Sequence, residues 1–204
     1  TYFKIDFMRY GLNQQIKNLN SSVKHVKAHD PTITDLERMR LGLRTMREAV
    51  GPDNYLLGCS AVFAPCIGFV DGMRTAGDIN PNFVAFGERV LGNAGNFYLK
   101  KVFNTDSDYL VFRAAADEDD NVSMRGKKSG GSLTVNEARM WADFCSLFGN
   151  CRLSGDNLMT LRPERQALVK EVFQYPAMDE TVPLDLWRHA TQKSDGFELV
   201  LARK

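Results

Sequence analysis

Thr1-Tyr2-Phe3-Lys4-Ile5-Asp6-Phe7 begins the chain with alternating, β-prone residues and sets a carboxylate near their far end. Residues 2–8 read as a buried core strand. A carboxylate among apolar neighbours at such a strand end is costly unless it is paired or put to use. Lys4 and Asp6 stand two residues apart, so their side chains share one face of the strand. A Lys–Asp pair that satisfies itself and a reactive carboxylate held by a cation both fit that spacing. The segment has no leader, initiator methionine or cap ahead of it. It therefore reads as the interior of a longer protein, and the lack of a signal peptide carries no information.

Outward from this strand, the pattern alternates. Residues 11–31 are polar, contain Asn18 and Asn20, and read as a loop. Thr34 with Glu37 three positions on has capping-box spacing, which predicts a helix over 34–49 that Gly51-Pro52 stops. Tyr55 to Ser60 and Gly68 to Arg74 read as the second and third strands, with a helix near 83–100 after them. Tyr109-Leu-Val-Phe-Arg-Ala114 reads as a fourth strand and 115–132 as a surface loop. Thr134 and Glu137 repeat the capping box and start a helix to about 148. Cys151 to Ser154 reads as a fifth strand, and 161–174 as the helix after it. From Pro176 onward, Val182-Pro-Leu-Asp-Leu-Trp187 and Phe197-Glu-Leu-Val-Leu-Ala202 look extended without an intervening helix, as at the start of an all-β domain.

Strands alternating with helices make this an α/β chain with parallel strands and helical crossovers. Five such units are too few for a closed eight-stranded barrel and would also suit an open doubly wound sheet. The first strand-to-helix turn, Arg9-Tyr10-Gly11-Leu12, lacks the glycine-rich phosphate fingerprint of a dinucleotide site.

Composition narrows the function classes. The 204 residues include 26 basic and 25 acidic side chains, a formal charge of +1, so there is no electrostatic footprint for nucleic acid. No apolar run approaches the roughly 20 residues needed to span a bilayer as a helix. Cys59, Cys66, Cys145 and Cys151 lack zinc-site spacing and read as free thiols, which leans toward a reducing, cytoplasmic compartment.

A second constellation is Val70-Asp71-Gly72-Met73-Arg74-Thr75-Ala76-Gly77-Asp78. Here a strand ends in a turn that presents Arg74 and Asp78. Two carboxylates at the ends of nearby parallel strands match the needs of a glycosidase: one attacks the anomeric carbon and the other protonates the leaving oxygen. Arg74 supplies a fixed cation for a hydroxyl. An ordinary Arg–Asp surface pair fits the same spacing.

Four segments occur in a familiar order: Tyr2-Phe3-Lys4-Ile5-Asp6-Phe7, Leu57-Gly58-Cys59-Ser60, Asp71-Gly72-Met73-Arg74 with Asp78, and Asp106-Ser107-Asp108 before Leu110-Val111-Phe112-Arg113. Together they resemble the motif series of the α-galactosidases of glycoside hydrolase family 36, from residue 2 to about 175. The resemblance implies a (β/α)8 TIM barrel of which residues 1–176 hold about strands 4–8, with 177–204 beginning a C-terminal β-sandwich. It implies Asp6 as nucleophile and Asp78 as general acid/base of a retaining hydrolase acting on terminal α-galactosides. It places Lys4 and Arg74 on galactose hydroxyls, and Gly58 with Cys59 along the sugar pocket. No metal or cofactor is implied, and the expected partner is an α-galactoside oligosaccharide, with no nucleic acid and no membrane. An α-N-acetylgalactosaminidase, a raffinose-type galactosyltransferase and a non-catalytic carbohydrate-binding barrel are the alternatives. Homo-oligomerisation of the complete protein stays open.

The chain also departs from the family pattern. Cys59-Ser60-Ala61-Val62 stands for Cys-Gly-Ser-Pro, Thr75-Ala76-Gly77 for Ile-Gly-Pro, and Thr105-Asp106-Ser107-Asp108 for Asn-Asp-Pro-Asp. A tryptophan usual beyond Asp78 is absent. Both carboxylates are retained while the residues around them change. In a retaining enzyme those carboxyls stand about 5–5.5 Å apart, and an open parallel edge would leave this piece insoluble or inactive when expressed alone.

Other signals point away from chemistry. Asp117-Glu-Asp-Asp-Asn121 begins like a calcium loop, but Val122 replaces the required glycine and Lys128 the closing glutamate. Gly126-Lys-Lys-Ser-Gly-Gly-Ser132 lacks phosphate-loop order. His25, His29 and His189 are too scattered for a metal site. Phe83, Phe86, Phe97 and Tyr98 read as core, with Phe83 or Phe86 a candidate platform for a sugar. Asp106 and Asp108, placed before the fourth strand, read as structural, and Asp156 as a residue near the pocket rim.

Overall fold

The computed structural model describes residues 1–12, 29–114, 133–186 and 200–203. His25, the acidic run at 117–121, the Gly/Lys/Ser stretch at 126–132 and His189 lie outside the described residues. The chain divides into two compact units, Thr1–Arg74 and Thr75–Lys204.

The first unit contains strands β1 (Tyr2–Ile5), β2 (Tyr55–Gly58) and β3 (Gly72–Arg74), with helices α1 (Asp35–Val50) and α2 (Phe63–Cys66). β2 pairs in parallel with both neighbours, Ile5 opposite Gly58 and Gly58 opposite Met73. α1 starts where the sequence predicts. The Thr34 hydroxyl accepts from the Glu37 amide at 3.2 Å, and the Glu37 carboxylate accepts from the Thr34 amide at 2.7 Å. Gly51, at φ 81°, ends it. Met39 and Leu43 form the buried stripe of α1 and, with Ile5, Phe7, Met8 and Met46, line an apolar cavity of about 370 Å³. Arg47 ties the helix to the strands: its guanidinium meets the Asp71 carboxylate at 2.6 Å, and that carboxylate also accepts the Leu56 amide at 2.7 Å.

The strand expected over 2–8 is shorter and more exposed than the sequence suggests. It spans four residues, followed by a 3-10 turn at Met8–Gly11, and Tyr2 and Phe3 are 45% and 41% exposed. Among the described residues β1 is an edge strand of its sheet and pairs with β2.

The second unit holds α3 (Phe83–Gly95), a 3-10 turn (Phe97–Lys101), β4 (Asn104–Asp106), α4 (Val135–Phe148), α5 (Pro163–Val172) and strands β5 (Glu180–Pro183) and β6 (Val200–Arg203). α4 carries the predicted Thr134–Glu137 capping box and buries Ala138, Trp141, Ala142, Cys145 and Phe148, a helical stripe. Trp141 stacks on Phe86 at 4.8 Å between ring centroids and on Phe144 at 5.7 Å. β5 and β6 pair antiparallel, and the Thr181 hydroxyl donates to the Leu147 carbonyl at the end of α4. The four cysteines are free thiols.

The fourth and fifth strands differ from expectation. β4 is Asn104–Asp106, not 109–114, and the run Leu110-Val111-Phe112 is buried but irregular. Leu110 makes only an isolated parallel bridge to Ser154, and Cys151 one to Asp106. The physical reason is that apolar residues signal burial, whereas ladder position follows backbone partners. The Thr105 carbonyl accepts from the Asn150 and Cys151 amides, and the Asp106 carbonyl from the Thr75 amide at 3.0 Å. Buried Arg165 holds the irregular run instead, donating to the carbonyls of Phe112 and Leu133.

Candidate active site

The register of the first unit brings four of the six site residues together. Ile5, Gly58 and Met73 form one row across β1, β2 and β3. One residue further on, at the C-terminal ends, stand Asp6, Cys59 and Arg74. Parallel strands put one row on one face, and Lys4, two residues before Asp6, joins that face. Cys59 is bound into place by its amide, which donates to the Ile5 carbonyl at 2.9 Å.

This row has a defined electrostatic character. Burial pushes the Asp6 carboxyl upward. The Phe7 backbone amide at 2.6 Å, the Cys59 thiol and the charges of Lys4 and Arg74 outweigh it and hold Asp6 below its ordinary value. Burial first, and then the neighbouring Asp6, push the Cys59 thiol up to about 11 against the pull of Arg74 and Lys4. At neutral pH the thiol is therefore a protonated donor and Asp6 an acceptor. Arg74 is buried, whereas Lys4 and Asp6 are exposed to an incoming ligand.

Gly58 offers backbone alone. A Cβ there would stand 2.9 Å from both Met8 Sδ and Met73 Cε, so any larger residue would have to displace these methionine side chains.

The backbone just beyond the row is strained. Phe7, directly after Asp6, has φ 57°, and Ser60, directly after Cys59, has φ 51°. A bulky residue in the left-handed region is a true outlier, costing on the order of 1 kcal/mol or more, and such strain concentrates at functional sites. The two turns support one another, since the Met8 and Arg9 amides donate to the Cys59 and Ser60 carbonyls at 3.2 and 2.8 Å.

Asp78 belongs to the second unit and is exposed there. Its segment is anchored at several points. The Thr75 hydroxyl bonds the Asn93 side chain and the Asp106 carbonyl, and the Asn96 amide donates to the Thr75 carbonyl at 2.9 Å. Arg89 Nε donates to the Asp78 carbonyl at 2.7 Å, and Asp108 Oδ2 accepts from the Ile79 amide at 2.6 Å.

Three sequence readings are corrected. Asp106 does not precede a strand; it is the last residue of β4, because the ladder lies earlier in sequence than the apolar run. Asp156 is no rim residue: its side chain is wholly buried, pairs with Arg113 at 2.6 Å and accepts the Phe112 amide. Phe86 is 1% exposed and stacked on Trp141, hence closed to a sugar, whereas Phe83 is 46% exposed. Thr75, Asn93, Asp106 and Asp108 are buried polar residues, and hydrogen bonds link Thr75 to Asn93 and to the Asp106 backbone, and Asp106 to Asp108. Among the described residues, no three His, Cys, Asp or Glu side chains are grouped to hold a metal ion.

Parallel strands with helical crossovers, carrying polar groups at the strand C-termini, make this an α/β fold. The α-galactosidase of Thermus thermophilus, solved in complex with stachyose, is similar to this chain with a TM-score of 0.55 and 18% identity. That alignment covers 86% of this chain and 34% of the enzyme, so the chain spans about a third of its length. The same enzyme in complex with p-nitrophenyl α-D-galactopyranoside aligns over 69% of this chain and 29% of its own, at 18% identity and a TM-score of 0.49. No family model matches the chain.

Proposed function

We propose that the chain is part of a (β/α)8-barrel retaining glycoside hydrolase that cleaves terminal α-galactosides, with residues 177–204 leading into a C-terminal β domain. The observation that carries this reading is the row of Asp6, Cys59 and Arg74 with Lys4, an ionised carboxylate ringed by donors at strand C-termini. Asp6 attacks C1 and forms a glycosyl-enzyme. Asp78 protonates the departing oxygen, then takes a proton from the attacking water. Lys4 and Arg74 bind sugar hydroxyls, and Gly58 with Cys59 lines the sugar pocket. The likeness to an α-galactosidase solved with stachyose supports the choice of sugar.

Turnover of p-nitrophenyl α-galactoside by the protein carrying this chain tests the reading. Asp6→Ala is expected to lower kcat on the order of 1000-fold or more, as removal of a nucleophile does. NMR of the first sugar released should show the α-anomer. Galactose binding without turnover would favour a non-catalytic carbohydrate-binding protein instead.

A further inference from the structure

We infer that Asp108, with Arg89 as its counterpart, is a positioning residue that aims the Asp78 carboxyl; this rests on the reading of Asp78 as general acid/base. The carbonyl of Asp78 and the amide of Ile79 belong to one peptide group, and both of its polar atoms are held by charged side chains. The Arg89 guanidinium donates to the carbonyl at 2.7 Å, and the Asp108 carboxylate accepts the amide at 2.6 Å. A cation on the negative end and an anion on the positive end fix the plane of that peptide, and bonds to ionised partners are the strong ones. Fixing the plane restrains one of the two peptides that carry the Asp78 Cα, and so narrows the directions open to its exposed side chain.

Asp108 is built for this task at a cost. It is 2% exposed and holds φ at 77°, a conformation that Asp and Asn tolerate better than other side-chain-bearing residues. Its own amide donates to Asp106 Oδ1 at 2.9 Å, so the end of β4 sets its orientation. A neutral acceptor would suffice merely to satisfy one amide. A buried carboxylate opposite an arginine does more, because it resists rotation of the peptide.

Leaving-group dependence separates aiming from folding. A misaimed acid matters for a poor leaving group and little for one that departs without a proton, and small displacements cost about 100-fold. In the protein carrying this chain, Asp108→Ala should lower kcat/KM for an alkyl α-galactoside by about 10- to 100-fold. On a dinitrophenyl α-galactoside the loss should stay below about 3-fold, reproducing in milder form the split of Asp78→Ala. Asp108→Asn, which keeps an acceptor and tolerates the backbone but loses the charge, should fall between the wild type and Asp108→Ala on the alkyl substrate. Should Asp108→Ala fail to fold, Arg89→Met, which releases the other end of the same peptide, carries the comparison. Equal losses on both substrates, or no loss on either, would overturn the positioning role. An Asp78→Ala variant without the split would instead refute the acid assignment, and a wild type inert on both substrates would sink both.

Discussion

Asp6 shows how much one residue's chemistry depends on its row. Its carboxylate is exposed at a strand end, yet a backbone amide, a thiol and two cations keep it ionised against the effect of burial. Because its pKa lies below the ordinary value, the Asp6 carboxylate stays charged further into acid than an ordinary one. The acidic limb of kcat/KM belonging to Asp6 is expected below the ordinary carboxylate range. Lys4→Met removes one of the cations, so the Asp6 pKa rises and that limb moves to higher pH; a pH–rate profile of the variant against the wild type reads this directly. An unmoved limb would mean that Lys4 does not act on Asp6. Lys4 and Asp6 were legible in the sequence as a same-face pair. The thiol donor and the strained Phe7 amide were not, because they come from the register of β2 and the turn after β1.

At the scale of elements, local signals read well. The two capping boxes, Thr34–Glu37 and Thr134–Glu137, formed as their spacing demands, since both partners lie within one helical turn. Replacing either threonine with alanine should cost about 1 kcal/mol in denaturant unfolding, more than a neutral surface substitution on the same helix. An unchanged midpoint would show that the caps contribute nothing net. β4 was misplaced because Tyr109 to Phe112 is more apolar than Asn104 to Asp106. Strand pairing is nonlocal, and polar Thr105 is buried by donating to the Phe148 carbonyl at 2.7 Å, a bond no window of sequence announces. That displacement also moved Asp106 from before an expected strand to the last position of a real one, with Asp108 just beyond it.

For the whole molecule, the second unit's core gathers around Trp141, fully buried between Phe86 and Phe144 with its indole N–H donating to the Tyr109 carbonyl. Trp141→Ala should destabilise that unit by about 3–5 kcal/mol, a large share of a typical domain's roughly 5–15 kcal/mol. Urea unfolding followed by circular dichroism measures it, and a loss under about 1 kcal/mol would place the stability elsewhere. Alternating strands and helices, helix starts and the charged residues available for chemistry were determined by the sequence itself, because periodicity and capping act over a few residues. Tertiary structure decided which of those residues meet: Asp6 with Cys59 and Arg74, and the Asp78–Ile79 peptide with Arg89 and Asp108. The first meeting depends on register between strands far apart in the chain. A shift of one residue would turn each side chain to the opposite face.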